Sequence, residues 1–264
     1  MTDIPWVLVT GGAMRLGRET SLAFARAGWN VLCHYRRSDQ AAQATAKEVQ
    51  ALGMRCVPLA ADLTQAGAAA RLFALCTAAV SEGPRCIVNN ASLFEADDAT
   101  HADEAMLQRH FATNTVTPLL LANALAAHVK SLPGQEPGLH CVVHVLDQKV
   151  HNLNPDYFSY TVSKLALERG VALQAQALAP HVRVCGLSPG LMYPSGPQTP
   201  ENFRRAGTVN LLQRAIDPGD VARAAVFIAE NASLNGCTLQ ADNGQHLVPL
   251  ARDVMFAIDE NRPR

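Results

Sequence analysis

The chain has 264 residues, of which 48% are hydrophobic and only 5% are aromatic. That composition allows a sizeable core and favours helices packed on an aliphatic sheet over an aromatic-rich β-sandwich. The formal net charge is −1, and no run of Lys or Arg is long enough to follow a phosphate backbone, so nucleic acid is not an expected partner.

Neither membrane insertion nor export is predicted. Residues Met1 to Pro5 lack a basic segment followed by an apolar one, and no stretch has the roughly 18 consecutive apolar residues of a spanning helix. We therefore expect a cytoplasmic protein that does not contact membranes.

The cysteines and histidines do not form a metal-binding pattern. Seven cysteines are scattered without a Cys-x-x-Cys motif, which favours buried free thiols over disulfides or zinc ligands. His140 and His144 are four apart, but they fall on a predicted strand, and no carboxylate or thiol completes a site. The sequence predicts no metal.

The first predicted elements are a strand, a glycine turn and a helix. Trp6 to Thr10 is a short apolar run, Gly11 to Arg18 contains three glycines, and a helical pattern continues through Ala27. Such a turn lets backbone N–H groups and a helix N-terminus approach a pyrophosphate. We predict a dinucleotide site here, formed by Gly11, Arg15, Leu16 and Gly17.

The second predicted strand, Asn30 to Tyr35, indicates which dinucleotide binds. An NAD-binding protein usually has an acidic residue after this strand, whereas here the chain continues His34-Tyr35-Arg36-Arg37-Ser38. Two arginines and a serine suit a 2′-phosphate, and Arg15 adds a third cation. The sequence predicts NADPH, the alternative being that these arginines are only solvated.

The next segments alternate between helix and strand. Asp39 to Leu52 and Gln65 to Val80 have helical patterns, while Arg55 to Ala60 and Cys86 to Asn89 are strand-like. This alternation predicts an α/β protein with a doubly wound parallel sheet of about seven strands and helices on both faces. Short segments with polar side chains follow two of these strands, and ligands bind at such ends. The predicted cofactor-binding residues there are Asp62, Leu63, Asn90, Ala91 and Ser92.

A long helical region is predicted from His101 to Lys130, with Asn114 beside an apolar stretch. A buried amide needs a partner, so Asn114 is either a structural residue that bends the helix or part of a proton relay.

The stretch from Val142 to Lys164 is the candidate catalytic centre. An apolar strand ends at Asp147, a turn follows at Asn152 to Asp156, and a helix begins near Tyr160. Tyr160 and Lys164 are four apart, so they share one helix face, and an ammonium beside a phenol stabilises the phenolate. We predict that Lys164 lowers the pKa of Tyr160; the alternative is a solvated helix face.

The last third of the chain is predicted to contain the substrate loop. A strand at Val182 to Leu187 breaks at Ser188-Pro189-Gly190, and 191–214 is irregular, with Pro194, Pro197 and Pro200 close together. We expect a mobile loop with a short helix that closes over substrate. A helix from Pro218 to Glu230 capped by Asp217, a strand at Thr238 to Ala241, and a tail over 246–264 complete a single domain over 1–264.

Five motifs in this order resemble those of the short-chain dehydrogenase/reductase family: Thr10-Gly11-x3-Arg15-x-Gly17, Asn89-Asn90-Ala91, Asn114, Tyr160-x3-Lys164 and Pro189-Gly190. Three positions depart from most members, with Arg15 and Ser92 in place of glycine and Asp147 in place of a catalytic serine. These departures, with His34-Tyr35-x-Arg37-Ser38, resemble the pteridine reductases and dihydromonapterin reductases.

The resemblance implies a Rossmann-fold homotetramer in which NADPH reduces a pterin stacked between the nicotinamide and an aromatic side chain, here Phe94. It implies that Tyr160 donates the proton, Lys164 holds the nicotinamide ribose, Asp147 supports proton delivery and Asn114 a water relay. The implied substrate site is formed by Ser92, Phe94, Asp147, Tyr160 and Leu191, with folates as a second substrate class. A ketone reductase of the same fold and a non-catalytic dinucleotide-binding regulator are the alternatives.

Overall fold

Seven parallel strands form the centre of the structure. The computed structural model describes residues 4–134, 136–196 and 198–260, with the side chains of all of these except 259 and 260. Pro197, one of the three loop prolines noted above, lies outside these ranges, as do 261–264 of the predicted tail. The strands are β1 (Trp6–Val9), β2 (Asn30–Tyr35), β3 (Cys56–Ala60), β4 (Cys86–Asn89), β5 (His140–Val145), β6 (Val182–Pro189) and β7 (Thr238–Ala241).

The strand order in the sheet is β3-β2-β1-β4-β5-β6-β7. The chain builds outward from β1 to β3, then returns to the other side of β1 to place β4. The order therefore reverses between β1 and β4, and a crevice forms at the carboxyl ends of strands on either side of such a point.

The helices lie between the strands along the chain and cover both faces of the sheet. They are α1 (Arg15–Arg26), α2 (Asp39–Ala51), α3 (Ala68–Ala79), α4 (Glu104–Phe111), α5 (Thr117–Ser131), α6 (Phe158–Leu178), α7 (Pro200–Ala206), α8 (Pro218–Glu230) and α9 (Val254–Glu260). A π-helical turn at Ala112–Val116 joins α4 to α5, and 3₁₀ turns occur at Gln148–Val150 and Gln245–Leu247. None of the helices in the described ranges has both the length and the hydropathy that crossing a bilayer requires.

Alternating side chains of the buried strands form two hydrophobic cores. Val7 and Val9 point into a core with α1, α2 and α8, while Trp6 and Leu8 point into a second core with α3 and α5. A strand that is covered on both faces needs apolar residues at every position, which explains the uninterrupted Trp6–Val9 run. The predicted doubly wound α/β fold is confirmed.

The predicted boundaries of β1 to β4 and of the helices between them agree with the structure to within three residues. Beyond β4, the next helical region and β6 differ from the prediction. β6 continues two residues beyond the predicted end, to Pro189, and the long helical region is two helices with a π turn between them. The sequence pattern missed the turn because a π turn keeps the chain helical and shifts the periodicity by only one residue.

Arg183 joins the sheet to the end of α8. This side chain is on β6 and only 5% exposed, so burial of its charge has to be compensated by hydrogen bonds. Its guanidinium donates to four backbone carbonyls, those of Gly138, Ile228, Ala229 and Leu234. The buried cation therefore satisfies two carbonyls in the last turn of α8, those of Ile228 and Ala229, and one just after it, that of Leu234.

Candidate active site

A cavity of about 690 Å³ opens at the carboxyl ends of the strands. Most of the predicted site residues line it, namely Gly11, Arg15, Leu16, Gly17, His34, Arg36, Asp62, Leu63, Asn90, Ala91, Ser92, Phe94, Asp147, Tyr160, Lys164, Pro189, Gly190 and Leu191. Tyr35, Arg37, Ser38 and Asn114 lie outside this lining. The sheet thus brings residues from most of the chain to one crevice.

The glycine turn between β1 and α1 packs against the end of β4. A Cβ on Gly17 would lie 1.9 Å from the Gly11 carbonyl oxygen and 2.7 Å from Asn90 Nδ2, so only glycine fits there. Thr10 Oγ1 accepts the backbone N–H groups of Asn90 and Ala91 at 2.9 and 3.0 Å. The turn is therefore held closed against β4, with its backbone facing the cavity.

Arg15 occupies a backbone conformation that normally favours glycine, with φ of 51°. Such a conformation costs a non-glycine residue on the order of 1 kcal/mol. Its Nη2 donates to the Pro194 carbonyl at 3.0 Å, and its guanidinium lies 4.8 Å from the centre of the Tyr193 ring. Arg15 therefore borders the cavity with its charged group against the segment after β6, and its predicted contact with a 2′-phosphate remains a prediction.

His34 is buried at the end of β2 and braces the glycine turn. Its Nδ1 accepts the Gly11 backbone N–H at 3.0 Å, which leaves Nε2 to donate to the Ala61 carbonyl at 3.1 Å. Burial lowers the pKa of His34, in keeping with this neutral tautomer. His34 thus supports the cavity wall as an uncharged side chain.

Arg36 is the cation at the end of β2 that borders the cavity. It forms an ion pair with Asp62 at 3.2 Å, and both side chains line the cavity. Tyr35 is turned toward α2, where its hydroxyl donates to Asp39 at 2.7 Å. Of the predicted phosphate-binding residues after β2, Arg36 is therefore the best placed.

Asp147 and Tyr160 form a direct hydrogen-bonded pair. The Tyr160 hydroxyl donates to Asp147 Oδ2 at 2.7 Å, and Asp147 Oδ1 accepts the Lys149 backbone N–H at 2.9 Å. Burial raises the pKa of the Asp147 carboxyl, and the Lys149 N–H and the Tyr160 hydroxyl oppose that rise. A partly buried acid and a buried phenol that share a hydrogen bond are suited to proton transfer.

The predicted effect of Lys164 on Tyr160 is wrong for this structure. Burial and then the charge of Asp147 raise the pKa of Tyr160 well above its usual value. Lys164 Nζ donates to the Val145 carbonyl at 2.7 Å and lies 5.8 Å from the Tyr160 ring, and burial lowers its own pKa to about 8. Spacing on a helix brought the two side chains to one face, but burial and the Asp147 charge decide the direction in which the pKa of Tyr160 moves.

Asn114 lies in the π turn and joins the loop after β4 to α6. Its Oδ1 accepts the Leu93 N–H at 2.8 Å, and its Nδ2 donates to the Leu93 carbonyl and to Ser163 Oγ at 2.9 and 3.0 Å. The side chain is fully buried. These bonds give Asn114 the structural role that the sequence left open, and its part in a proton relay remains a prediction.

Phe94 forms the aromatic wall of the cavity beside Tyr160. It stacks on Tyr157 with ring centres 4.1 Å apart and meets Tyr160 edge-on at 4.6 Å. The side chain is still 36% exposed and lines the cavity. A flat aromatic surface is therefore available next to the Asp147 and Tyr160 pair.

The segment after β6 is held at the cavity by Gln245. Its Oε1 accepts the Leu191 N–H at 2.8 Å, and a Cβ on Gly190 would lie 2.4 Å from that oxygen. The predicted short helix in 191–214 is α7, which Thr199 caps by accepting the Asn202 N–H. The predicted mobility of this loop stays untested.

Two parts of the cavity wall were not predicted. One is Lys149, just after β5, and the other is Asp253 and Val254 near the end of the described chain, where 254–260, predicted as plain tail, is the helix α9. An apolar run from Val254 to Ile258 directly after Asp253 is the signal that predicts this helix.

The histidines of β5 take part in the sheet's own contacts. His144 lies between Asn89 and Gln174 at 3.2 and 3.0 Å, and burial lowers the pKa of both His140 and His144 to about 4. In the described ranges, no three His, Cys, Asp or Glu side chains group as metal ligands.

Comparison with known proteins places this geometry among reductases. Residues 12–246 match the family model described as "Enoyl-(Acyl carrier protein) reductase". The solved structure of FolM alternative dihydrofolate reductase 1 from Brucella canis, complexed with NADP, is 38% identical and superimposes with a TM-score of 0.84, covering 92% of this chain and 94% of that one.

Two curated proteins are similar over most of their length. Pteridine reductase 1 of Leishmania tarentolae is 28% identical, over 92% of this chain and 96% of its own. A dihydromonapterin reductase of Escherichia coli is 27% identical, over 91% of this chain and 96% of its own.

Proposed function

Because this chain belongs to the short-chain dehydrogenase/reductase family, we propose that it is an NADPH-dependent reductase of dihydropterins and of related folates. The observation that carries this proposal is the partly buried Asp147 carboxylate, hydrogen-bonded to Tyr160 and placed beside the exposed part of Phe94. The similar FolM, pteridine reductase and dihydromonapterin reductase proteins support the same substrate class.

The residues present fit NADPH. The Gly17 position leaves no room for a side chain, and a turn with that property lets a pyrophosphate approach the backbone at the start of α1. Arg36, at the end of β2, supplies the charge that a 2′-phosphate requires. Asn90, Ala91, Pro189 and Gly190 border the other half of the cavity, where they would hold the nicotinamide.

The chain's own chemistry is proton delivery. Bound NADPH supplies the hydride, and the reduced ring then needs a proton on the adjacent nitrogen. The Tyr160 hydroxyl oxygen, which carries a proton, lies 2.7 Å from Asp147 Oδ2. Since burial raises the pKa of Asp147, this carboxyl takes up a proton from solvent at a pH closer to neutral than an exposed aspartate does. It can then pass that proton to Tyr160 and so replace the one that Tyr160 gives to the substrate.

Asp147 also favours a pterin over a ketone. A ketone oxygen needs hydrogen-bond donors, and an ionised carboxylate offers acceptors only. A pterin presents an amino group and ring N–H groups, which a carboxylate can bind. Asp147 at the usual serine position therefore suits a nitrogen-rich ring.

The structure predicts a preference for NADPH that depends on Arg36. NADPH is expected to bind at least tenfold tighter than NADH, about 1.4 kcal/mol, which one charge-assisted contact can supply. Arg36→Gln should remove most of that preference, because this guanidinium lines the cavity. Fluorescence titration with both cofactors measures it.

Arg37→Gln is the matched control, because it removes the same charge one residue further along, outside the cavity lining. It should change the preference by less than about threefold. Equal dissociation constants for NADPH and NADH in the wild type would contradict the assignment.

A substrate panel tests the proposed function directly. We expect NADPH oxidation with dihydrobiopterin, dihydromonapterin or dihydrofolate to show a kcat/KM roughly tenfold or more above that with a simple diketone, since only the pterin edge satisfies Asp147. A higher value for the diketone would instead make this chain a ketone reductase.

We further propose a cytoplasmic homotetramer. Exposed apolar side chains on neighbouring helices support subunit contacts there; they are Leu120 of α5 and Leu173 of α6. All seven cysteines are free thiols, which is usual in a reducing compartment. A mass measurement in solution tests the assembly.

A further inference from the structure

Residues 252–258, called here the 252–258 segment, close one side of the cavity. Asp253 and Val254 line it, and Met255 is buried in a cluster with Tyr160. The segment therefore lies against the group that transfers the proton.

An ion pair between the buried Lys149 and the partly buried Asp253 attaches this segment beside Asp147. Lys149 Nζ donates to Asp253 Oδ2 at 3.0 Å and to Asn154 Oδ1 at 2.7 Å, and Lys149 is only 2% exposed. Two buried charges contribute little net stability compared with apolar side chains of similar volume. The place of the pair, two residues after Asp147 and on the cavity wall, therefore suggests a role in the reaction.

We infer that Lys149 is a positioning residue that, balanced by Asp253, sets how tightly Asp147 and Tyr160 hold the transferred proton. The inference rests on the proposed pterin reduction. Lys149 acts through Asp147, whose Oδ1 accepts its backbone N–H, and Asp253 acts through its ion pair with Lys149 Nζ.

The charges around the proton-sharing pair act in opposite directions. On Asp147, burial raises the pKa, while the charges of Lys149 and Lys164 lower it. On Tyr160, burial raises the pKa, and the charges of Asp147 and Asp253 raise it further. The Asp156–Arg252 ion pair, at 2.8 Å, and the Tyr157 hydroxyl lie next to this group.

Opposite substitutions should move the pH profile in opposite directions. With NADPH and dihydrobiopterin, Lys149→Met is expected to raise the apparent pKa of the pair by about 1, because a cation near the carboxylate is lost. Asp253→Asn is expected to lower it by a similar amount, because Lys149 is then unbalanced. The pH dependence of kcat/KM measures both.

Three further variants separate charge from structure. Lys149→Arg keeps the cation and should restore the wild-type profile, and Lys149→Met with Asp253→Asn removes both charges and should return the pKa to within about 0.3 of the wild type. Arg252→Met is the matched control, since it removes another ion pair of the same segment while leaving Lys149 and Asp253 in place. It should leave the apparent pKa unchanged.

The outcomes distinguish the inference from the proposed function. Absence of wild-type turnover with dihydrobiopterin, dihydromonapterin and dihydrofolate would overturn both. If the wild type turns over these substrates but the apparent pKa shifts in the same direction in Lys149→Met and Asp253→Asn, the inference alone is overturned. The same holds if Arg252→Met shifts the apparent pKa as much as Lys149→Met does. If Lys149→Met does not fold, judged by its melting temperature, a wild-type profile in Asp253→Asn is sufficient to overturn it.

Discussion

Tyr160→Phe is expected to reduce kcat by roughly 10²-fold or more, which is the usual scale for loss of a positioned acid. The dissociation constant for NADPH should stay within about twofold of the wild type. The substitution removes the hydroxyl that donates to Asp147 Oδ2 at 2.7 Å and keeps the ring that meets Phe94 edge-on. Steady-state kinetics with a dihydropterin and a cofactor titration measure the two quantities.

Tyr157→Phe is the matched control for that variant. Tyr157 is also buried and stacks on the same Phe94 ring. Its substitution therefore removes a hydroxyl from the same aromatic cluster and leaves the Asp147 hydrogen bond to Tyr160 in place. We expect kcat to fall by less than about tenfold. If Tyr160→Phe retains activity within a few-fold of the wild type, another group delivers the proton.

Asp147→Ser is expected to separate the two substrate classes. It replaces the carboxylate by the hydroxyl that the family usually has there, so dihydropterin turnover should fall roughly 10²-fold while diketone turnover stays level or rises. The reason is that a serine hydroxyl donates to a carbonyl oxygen, whereas a carboxylate only accepts. Turnover numbers for both substrates measure it.

The alternative role of Asp147 is to cap a turn, and the melting temperature tests it. Asp147 Oδ1 accepts the Lys149 N–H and so caps the 3₁₀ turn at Gln148–Val150. Serine can form the same kind of cap, so we expect a stability change of about 1 kcal/mol or less. A large loss of stability, with turnover of both substrates reduced together, would favour the structural role. Unchanged pterin turnover in Asp147→Ser would remove the main reason for proposing a pterin substrate.

The sheet was predictable because its signals are local. Most of the strands are short apolar runs that end in a polar or glycine turn, as at Trp6 to Thr10, and such runs predict strands that are covered on both faces. The parallel order of the strands then places their carboxyl ends together, so Asn90, Asp147 and Gly190 were expected at one cavity.

What could not be predicted depends on side-chain direction and burial. The spacing of Tyr160 and Lys164 shows a shared helix face, but not that Lys164 Nζ bonds the Val145 carbonyl. Likewise, Arg15 was recognisable as a cation in the glycine turn, but its contact with Pro194 follows from the packing of a distant segment.

The contact between Lys149 and Asp253 was beyond sequence reasoning for a different reason. The two residues are 104 positions apart, and no local pattern relates them. The apolar run after Asp253 predicts a helix, but only the folded chain shows which surface that helix covers.

The π turn at Ala112–Val116 has a consequence for insertions and deletions. Such a turn holds one residue more than the α-helical turn it replaces, so deleting that residue would restore regular hydrogen bonds and leave α4 and α5 in nearly the same relative rotation. A residue inserted into the regular helix after the turn would instead rotate the rest of α5 by about 100°, and Leu121 and Leu125, now fully buried, would turn away from the core. The wide turn thus absorbs one residue without changing the angular register of the two helices, so a deletion at Val116, its exposed position, should be tolerated far better than an insertion within α5.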